Sequence, residues 1–285
     1  MAGGNRQTGI GELRMRILET FCEGKTSAEA NEDRIVFADG YAAVIDGATD
    51  KTGLRLGGKA GGVLVADALK ALFEGRAGLS GGLGFHEFVA VATDAVAAAL
   101  KAAGWPEGFP PPCASIVVFN ERRRELWRVG DCHYAVGDEV SLGSKAIDDL
   151  TSSMRAAVIR RALDRGQDLN GKDPGREVIM PMLQAQHLHA NNAESPVGFP
   201  VMDGRPVPES LLERPVTVGK GDLVVLASDG FDFLKPTLRE TLEAQERSYR
   251  IDPLRIGLPG GRASTKGLPQ GAIRHDDQSY VSLMA

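Results

Sequence analysis

Hydrophobic and polar positions along this chain form two kinds of pattern, short alternating runs and longer stretches at helical spacing. Residues 35–37 and 41–45 are apolar runs on either side of an Asp-Gly turn, which predicts a β-hairpin. Helical spacing predicts amphipathic helices over 55–73 and 85–103, each followed by a glycine that can end it. Strands and helices are therefore expected in separate groups in the first third of the chain.

The second part of the chain continues with hairpins. Strands predicted at 114–119, 125–129 and 133–136 form an antiparallel meander. Because strands arrive as hairpins and do not alternate regularly with helices, antiparallel sheets are favoured over a parallel one. Between 144 and 212 the pattern turns helical and polar, with helices predicted over 147–165 and 176–190. We interpret this region as an insertion.

Aspartates end two of the apolar runs. The run 223–228 is continuously apolar until Ser228 and leads directly into Asp229 and Gly230, and 44–45 leads in the same way into Asp46 and Gly47. Asp276 and Asp277 stand just before the last predicted strand, 280–283. If these strand ends are neighbours, their carboxylates form one site for hard divalent cations.

The chemistry of such a site follows from its ligands. Oxygen ligands without nearby histidine or cysteine suit Mg²⁺ or Mn²⁺. Two such ions about 4 Å apart can clamp a phosphate ester while a water between them attacks phosphorus. Glycine after an aspartate lets the backbone come close, so that its carbonyl can also ligate. Asp-Gly pairs also form ordinary turns, as predicted at 39–40 and 203–204.

Composition narrows the class of protein further. The 285 residues are 42% hydrophobic and 25% charged, which is typical of a globular chain with a sizeable core. The net charge is −5 and the basic residues are scattered, so no nucleic-acid partner is expected. Three cysteines without paired spacing indicate neither a disulfide framework nor a zinc site, and we expect a reducing, cytoplasmic location. No run approaches the ~20 apolar residues of a membrane span, so no membrane partner and no export are expected.

The ordered motifs of the chain resemble those of the metal-dependent serine/threonine protein phosphatases of type 2C, the PPM-like family. The resemblance covers nearly the whole chain and rests on Asn31-Glu-Asp-Arg34, Val44-Ile-Asp-Gly-Ala48, Val129-Gly-Asp131, Ala227-Ser-Asp-Gly-Phe231 and Asp276-Asp-Gln-Ser279. It implies a single α+β domain over 1–285, an α-β-β-α sandwich of two antiparallel sheets flanked by helix pairs. The helical insertion at 144–212 falls where such phosphatases vary.

The resemblance also implies roles for individual residues. Asp46 would bridge two Mn²⁺ or Mg²⁺ ions, Gly47 would offer its carbonyl to one of them, and Asp229 and Asp277 would hold the other. Asp46, Asp229 and Asp277 would thus act catalytically through metal-bound water, a hydroxide that bridges the ions and hydrolyses phosphoserine or phosphothreonine in a phosphoprotein. Glu32 and Asp33 match acids of the family that act through metal-bound water. Asp131 matches an acid that binds a third ion, although it also suits a simple turn.

Departures from the family pattern keep an alternative open. Ala48 stands where many members have a histidine proposed as general acid, which leaves water, Asp50 or another group to protonate the leaving group. Ala28 stands where the phosphate-binding arginine is usual, so Lys25 or Arg34 would have to replace it. A non-catalytic, metal-binding relative that acts as a regulatory or binding module is therefore the second hypothesis. The identity of the substrate and the oligomeric state do not follow from the sequence.

Overall fold

Two five-stranded antiparallel sheets stack face to face in the computed structural model, which describes residues 15–38, 40–48, 53–75, 79, 82–268 and 272–285. The first sheet has the order β1 (Arg16–Glu23), β12 (Gln278–Met284), β11 (Leu223–Ala227), β8 (His133–Val136) and β9 (Glu139–Ser141). The second has the order β10 (Val216–Thr217), β7 (Glu125–Val129), β6 (Ala114–Asn120), β3 (Tyr41–Gly47) and β2 (Arg34–Ala38).

Alternation along the central strands produces two apolar layers from one sheet. In β3, Ala42 and Val44 pack between the sheets, whereas Ala43 and Ile45 face the outer side. Successive side chains of a strand point to opposite faces, so a run that is apolar at every position must be buried on both sides. The run in β11 behaves alike, with its even positions between the sheets and Val225 on the outer face.

Helices cover the outer faces of both sheets. The pair α1 (Gly61–Glu74) and α2 (Phe85–Ala103) packs on the second sheet around Trp127. On the first sheet, Leu238 and Leu242 of α5 (Leu238–Ile251) pack near Tyr280. The predicted α+β sandwich of two antiparallel sheets with flanking helices is confirmed. In the described part of the chain, no helix combines the length and the apolar character needed to cross a bilayer.

The helix predicted over 55–73 starts later than expected. Residues 55–60 form a small hairpin of β4 (Arg55–Leu56) and β5 (Lys59–Ala60), and the helix begins at Gly61. Gly57 and Gly58 have φ angles of 57° and 80°, which belong to a left-handed turn. Glycine reaches this region without steric cost, so the Gly-Gly pair reverses the chain where helical spacing alone predicts continuation.

The insertion holds the long loop that precedes the last strand. Its helices α3 (Ala146–Asp164) and α4 (Pro174–Gln184) pack against each other. Arg155 of α3 is buried and donates to the carbonyl oxygens of Leu254, Arg255 and Ser264 at 2.9–3.1 Å. This long loop is thus anchored to the insertion in its described part. Together the two segments form one wall of the cavity described next.

Candidate metal centre

Three chain segments bring the carboxylates of Asp46, Asp131 and Asp229 together. One carboxylate oxygen of each residue lies within 4.8 Å of those of the other two. Asp46 lies near the end of β3, Asp131 lies between β7 and β8, and Asp229 follows β11. Since β3 and β11 belong to different sheets, only the stacking of the sheets creates this group, which we call the acidic trio.

Strand register explains why the trio points into the cleft between the sheets. Asp46 lies on the same face of β3 as Ala42 and Val44, which pack between the sheets. Its partner across the ladder is Ser115 of β6. The Ser115 hydroxyl donates to the carboxylate of Asp131 and accepts the backbone N–H of Asp131 at 3.2 Å. Ser115 therefore fixes Asp131 beside Asp46.

Gly130 permits this close approach and yields a first prediction. Its φ is +96°, and a Cβ there would lie 2.2 Å from Ser115 Oγ. Gly130→Ala is expected to destabilise the fold by about 1–3 kcal/mol from overpacking, in addition to the roughly 1–2 kcal/mol of the left-handed conformation. It should also weaken Mn²⁺ binding, because Asp131 is displaced. Chemical denaturation and calorimetric Mn²⁺ titration measure the two effects.

Gly221 supplies the matched control for that variant. It has a similar φ of +82°, but a Cβ there would meet nothing within 4 Å. Gly221→Ala should therefore show only the cost of the left-handed conformation and unchanged Mn²⁺ binding. If both alanine variants lost the same stability, the close packing of Gly130 on Ser115 would have no energetic consequence.

The electrostatics of the trio are uneven. Burial, and then the charge of Asp229, raises the pKa of Asp46 well above its ordinary value. The side chain of Asp229 is exposed to the cavity, but the surrounding protein limits its hydration. This desolvation, together with the charge of Asp131, raises the pKa of Asp229 to about 8. Burial would also raise the pKa of Asp131, yet the Lys145 ammonium at 2.7 Å lowers it to about 2. Carboxylates that repel one another in this way fit a divalent cation, which offsets their charge.

The trio borders a cavity of about 460 Å³, a size typical of small-ligand sites. Gly47 and Ala48 lie beside Asp46 in its lining. Positively charged side chains also line it, among them Lys145, Arg176, Arg262 and Lys266. The cavity thus presents carboxylates for a cation and basic groups for an anion.

Of the other residues predicted for this site, Asp277 lies outside the trio. Its carboxylate accepts the backbone N–H groups of Lys25 at 2.7 Å and Glu32 at 2.9 Å. The Lys25 ammonium lies 3.5 Å from Asp277 and 3.6 Å from Glu32. Burial lowers the pKa of Lys25, but these carboxylates and Asp276 raise it above its usual range. Asp276, for which the sequence suggested no individual role, borders the cavity and also pairs with Lys266 at 2.6 Å.

The predicted phosphate-binding residues do not border the cavity. Lys25 is held among the carboxylates just described, and Arg34 donates to Asp67 at 2.8 Å and to the carbonyl oxygens of Asn31 and Asp33. Asp33 is buried, and this burial raises its pKa to about 7, while the Ser279 hydroxyl donates to its carboxylate at 2.9 Å. Asp50, considered as a proton donor, lies outside the described residues.

Sequence reasoning also missed Lys145 and His133. His133 accepts the backbone N–H of Gly143 at Nδ1, and its Nε2 lies 3.0 Å from the Phe231 carbonyl oxygen, to which it donates. Burial lowers the pKa of His133 to about 4, so the ring is neutral. It thereby ties the loop that carries Lys145 to the loop that carries Asp229. No local motif surrounds either residue, and only their contacts reveal them.

Comparison with models of protein families and with the sequences of curated proteins finds no match. Solved structures do match. The Mycobacterium tuberculosis serine/threonine phosphatase PstP/Ppp is 18% identical, with 95% of this chain and 98% of that chain covered and a TM-score of 0.48. The PstP catalytic domain in complex with two manganese ions is 17% identical, with 95% and 99% covered and a TM-score of 0.47. The PPM Ser-Thr phosphatase MsPP from Mycobacterium smegmatis is 13% identical, with 94% and 98% covered and a TM-score of 0.45. All three of these neighbours are described as serine/threonine phosphatases.

Proposed function

We propose that this chain is a metal-dependent phosphatase that hydrolyses phosphoserine and phosphothreonine monoesters of phosphoproteins. One observation carries the proposal, the acidic trio at the border of a cavity that also contains basic side chains. Carboxylates alone suit Mn²⁺ or Mg²⁺, and a phosphate ester is the substrate whose negative charge both a metal ion and basic residues can bind.

The oxygen ligands at the border of the cavity have defined roles in this proposal. Asp46, Asp131 and Asp229 hold the divalent ions, with the Gly47 carbonyl as a further oxygen ligand. Such ions, when bound, polarise the phosphate and lower the pKa of water. Asp277 as a further metal ligand, and Glu32 and Asp33 as acids that act through metal-bound water, stay predictions, because their carboxylates do not join the trio in the described structure.

Arg176 and Arg262 are the proposed ligands of the phosphate or of the peptide around it. Both line the cavity, and each donates from Nη1 to a backbone carbonyl, Arg176 to Thr265 at 2.8 Å and Arg262 to Asp232 at 3.2 Å. A guanidinium carries five N–H donors, so each retains donors for an anion. In this proposal they take the role that the family resemblance left to Lys25 or Arg34.

Hydrolysis of para-nitrophenyl phosphate tests the proposal directly. Wild type should show Mn²⁺-dependent turnover, and Asp229→Asn should lose at least about 100-fold, since even outer partners of a metal site contribute about 10–100-fold. Asp138→Asn, in an exposed turn between β8 and β9, is the charge-matched control and should retain wild-type rates. Equal rates in wild type and Asp229→Asn, or no metal-dependent rate, would reject phosphatase activity. A phosphothreonine peptide then tests the substrate class.

The second hypothesis, a non-catalytic binding module, is favoured by one specific observation. Neither Lys25 nor Arg34 borders the cavity, so the usual phosphate ligand has no direct substitute near residue 28. Mn²⁺ binding that is lost in Asp229→Asn, without turnover of either phosphate substrate in the wild type, would support the module.

A further inference from the structure

Asp131 already has a cation beside it. Its carboxylate accepts the Ser115 hydroxyl on one oxygen and lies 2.7 Å from the Lys145 ammonium on the other. The Lys145 ammonium therefore places a positive charge on the Asp131 side of the trio.

Lys145 is built into the site. Gly143, two residues earlier, packs so closely on Asp131 that a Cβ would lie 2.4 Å from the Asp131 carbonyl oxygen. The N–H of Gly143 donates to His133, as described above. The ammonium of Lys145 also lies 5.5 Å from the centre of the Phe199 ring, within the range of a cation–π interaction. With a side chain only 15% exposed, Lys145 differs from a mobile surface lysine.

Asp232, two residues after Gly230, also borders the cavity, but its carboxylate is bound by other donors. Asp232 is buried and accepts two hydrogen bonds from Arg255, at 2.7 and 2.6 Å. Gln245 and Ser248 donate to the same carboxylate. The ammonium of Lys145 thus contacts Asp131, whereas the carboxylate of Asp232 is paired with Arg255.

We propose that the Lys145 ammonium occupies the position of an additional metal ion beside Asp131, so that wild type binds one divalent ion fewer than its carboxylates allow. The inference rests on the proposed metal binding. A lysine belongs to the chain and cannot dissociate as a metal ion does. Its positive charge is therefore present at every metal concentration. Charge at this corner of the site is thereby independent of the metal supply.

Counting Mn²⁺ per chain tests the inference by a readout other than activity. Lys145→Met keeps the length of the side chain and removes its charge, and titration calorimetry should find one more Mn²⁺ per chain than in wild type. Lys145→Arg keeps the charge and should leave the count unchanged. Lys145→Met combined with Asp131→Asn should lose the additional ion. Should Lys145→Met fail to fold in EDTA, Lys145→Gln, whose amide can still donate to Asp131, carries the same test.

Lys59→Met is the matched control. Lys59 forms an ion pair of the same length, 2.7 Å, with Asp67, and neither residue borders the cavity. Its removal should not change the Mn²⁺ count. An unchanged count in both Lys145→Met and Lys145→Gln would overturn the inference, whatever number wild type binds. That failure is distinct from failure of the proposed function, which is decided by the turnover of wild type and Asp229→Asn.

Discussion

Asp46→Asn is expected to abolish Mn²⁺-dependent turnover and, at the same time, to stabilise the metal-free protein. Asp46 lies in the trio on the central strand β3 and is the residue predicted to bridge both ions. Even outer partners of a metal contribute about 10–100-fold, so disturbance of two ions should cost more than about 1000-fold in rate. This loss should exceed that of Asp229→Asn.

The stabilising half of the prediction follows from the charge of Asp46. Burial and the neighbouring acids raise its pKa in the folded state, so the folded chain binds a proton more tightly than the unfolded chain does. For such a group, stability is present below the unfolded pKa and is lost as the pH rises through the folded pKa. Asparagine carries no charge and removes that loss, so the melting temperature in EDTA at neutral pH should rise.

Thermal melts of wild type and Asp46→Asn, in EDTA and in Mn²⁺, measure both halves. Wild type should gain about 2.7 kcal/mol at a Mn²⁺ concentration of 100 Kd, and Asp46→Asn should gain little. Asp138→Asn should behave as wild type. Persistent Mn²⁺ stabilisation of Asp46→Asn would show that Asp46 is no ligand. A melting temperature of Asp46→Asn below that of wild type in EDTA would contradict the repulsion between Asp46 and the neighbouring acids.

Asp232→Ala is expected to destabilise the fold by about 3–5 kcal/mol, because it leaves a buried arginine without its partner. Asp232 and Arg255 are 2% and 3% exposed in their side chains, and their closest approach is 2.6 Å. Burial raises the pKa of Asp232, but the hydrogen bonds and charge of Arg255 lower it below its usual value. The pair connects the segment after Asp229 to the loop held by the insertion.

Glu246→Ala is the control for that variant. Glu246 pairs with Arg250 on α5 at 3.7 Å, and both side chains are 69% exposed. Exposed pairs of this kind contribute about 0.3–0.5 kcal/mol. Urea denaturation should separate the two variants clearly, and Asp232→Ala/Arg255→Met should recover part of the loss, since it removes the uncompensated charge. A loss below about 1 kcal/mol for Asp232→Ala would mean that water reaches Arg255 in the folded state.

Local sequence patterns were sufficient for the strands that carry the site. Alternation and apolar runs predicted β3 and β11, and an aspartate followed by glycine marked their ends at Asp46 and Asp229. These features are local, because successive side chains of a strand point to opposite faces. The face on which an aspartate lies therefore follows from its neighbours in the chain. The helix start at Gly61 escaped prediction, since a Gly-Gly turn interrupts a pattern whose spacing still resembles a helix.

The sequence by itself marked Asp46 and Asp229 as strand-end carboxylates, and the resemblance added Asp131 as the ligand of a third ion or as a simple turn residue. Tertiary structure decided the rest. It placed Asp131 in the trio, turned the carboxylate of Asp277 to backbone N–H groups, and brought Lys145 from the insertion to Asp131. The physical reason is that these relations join residues far apart in the chain. They depend on how the two sheets stack and on which donor binds each buried carboxylate. The spacing of hydrophobic and polar residues along the chain predicts neither of these.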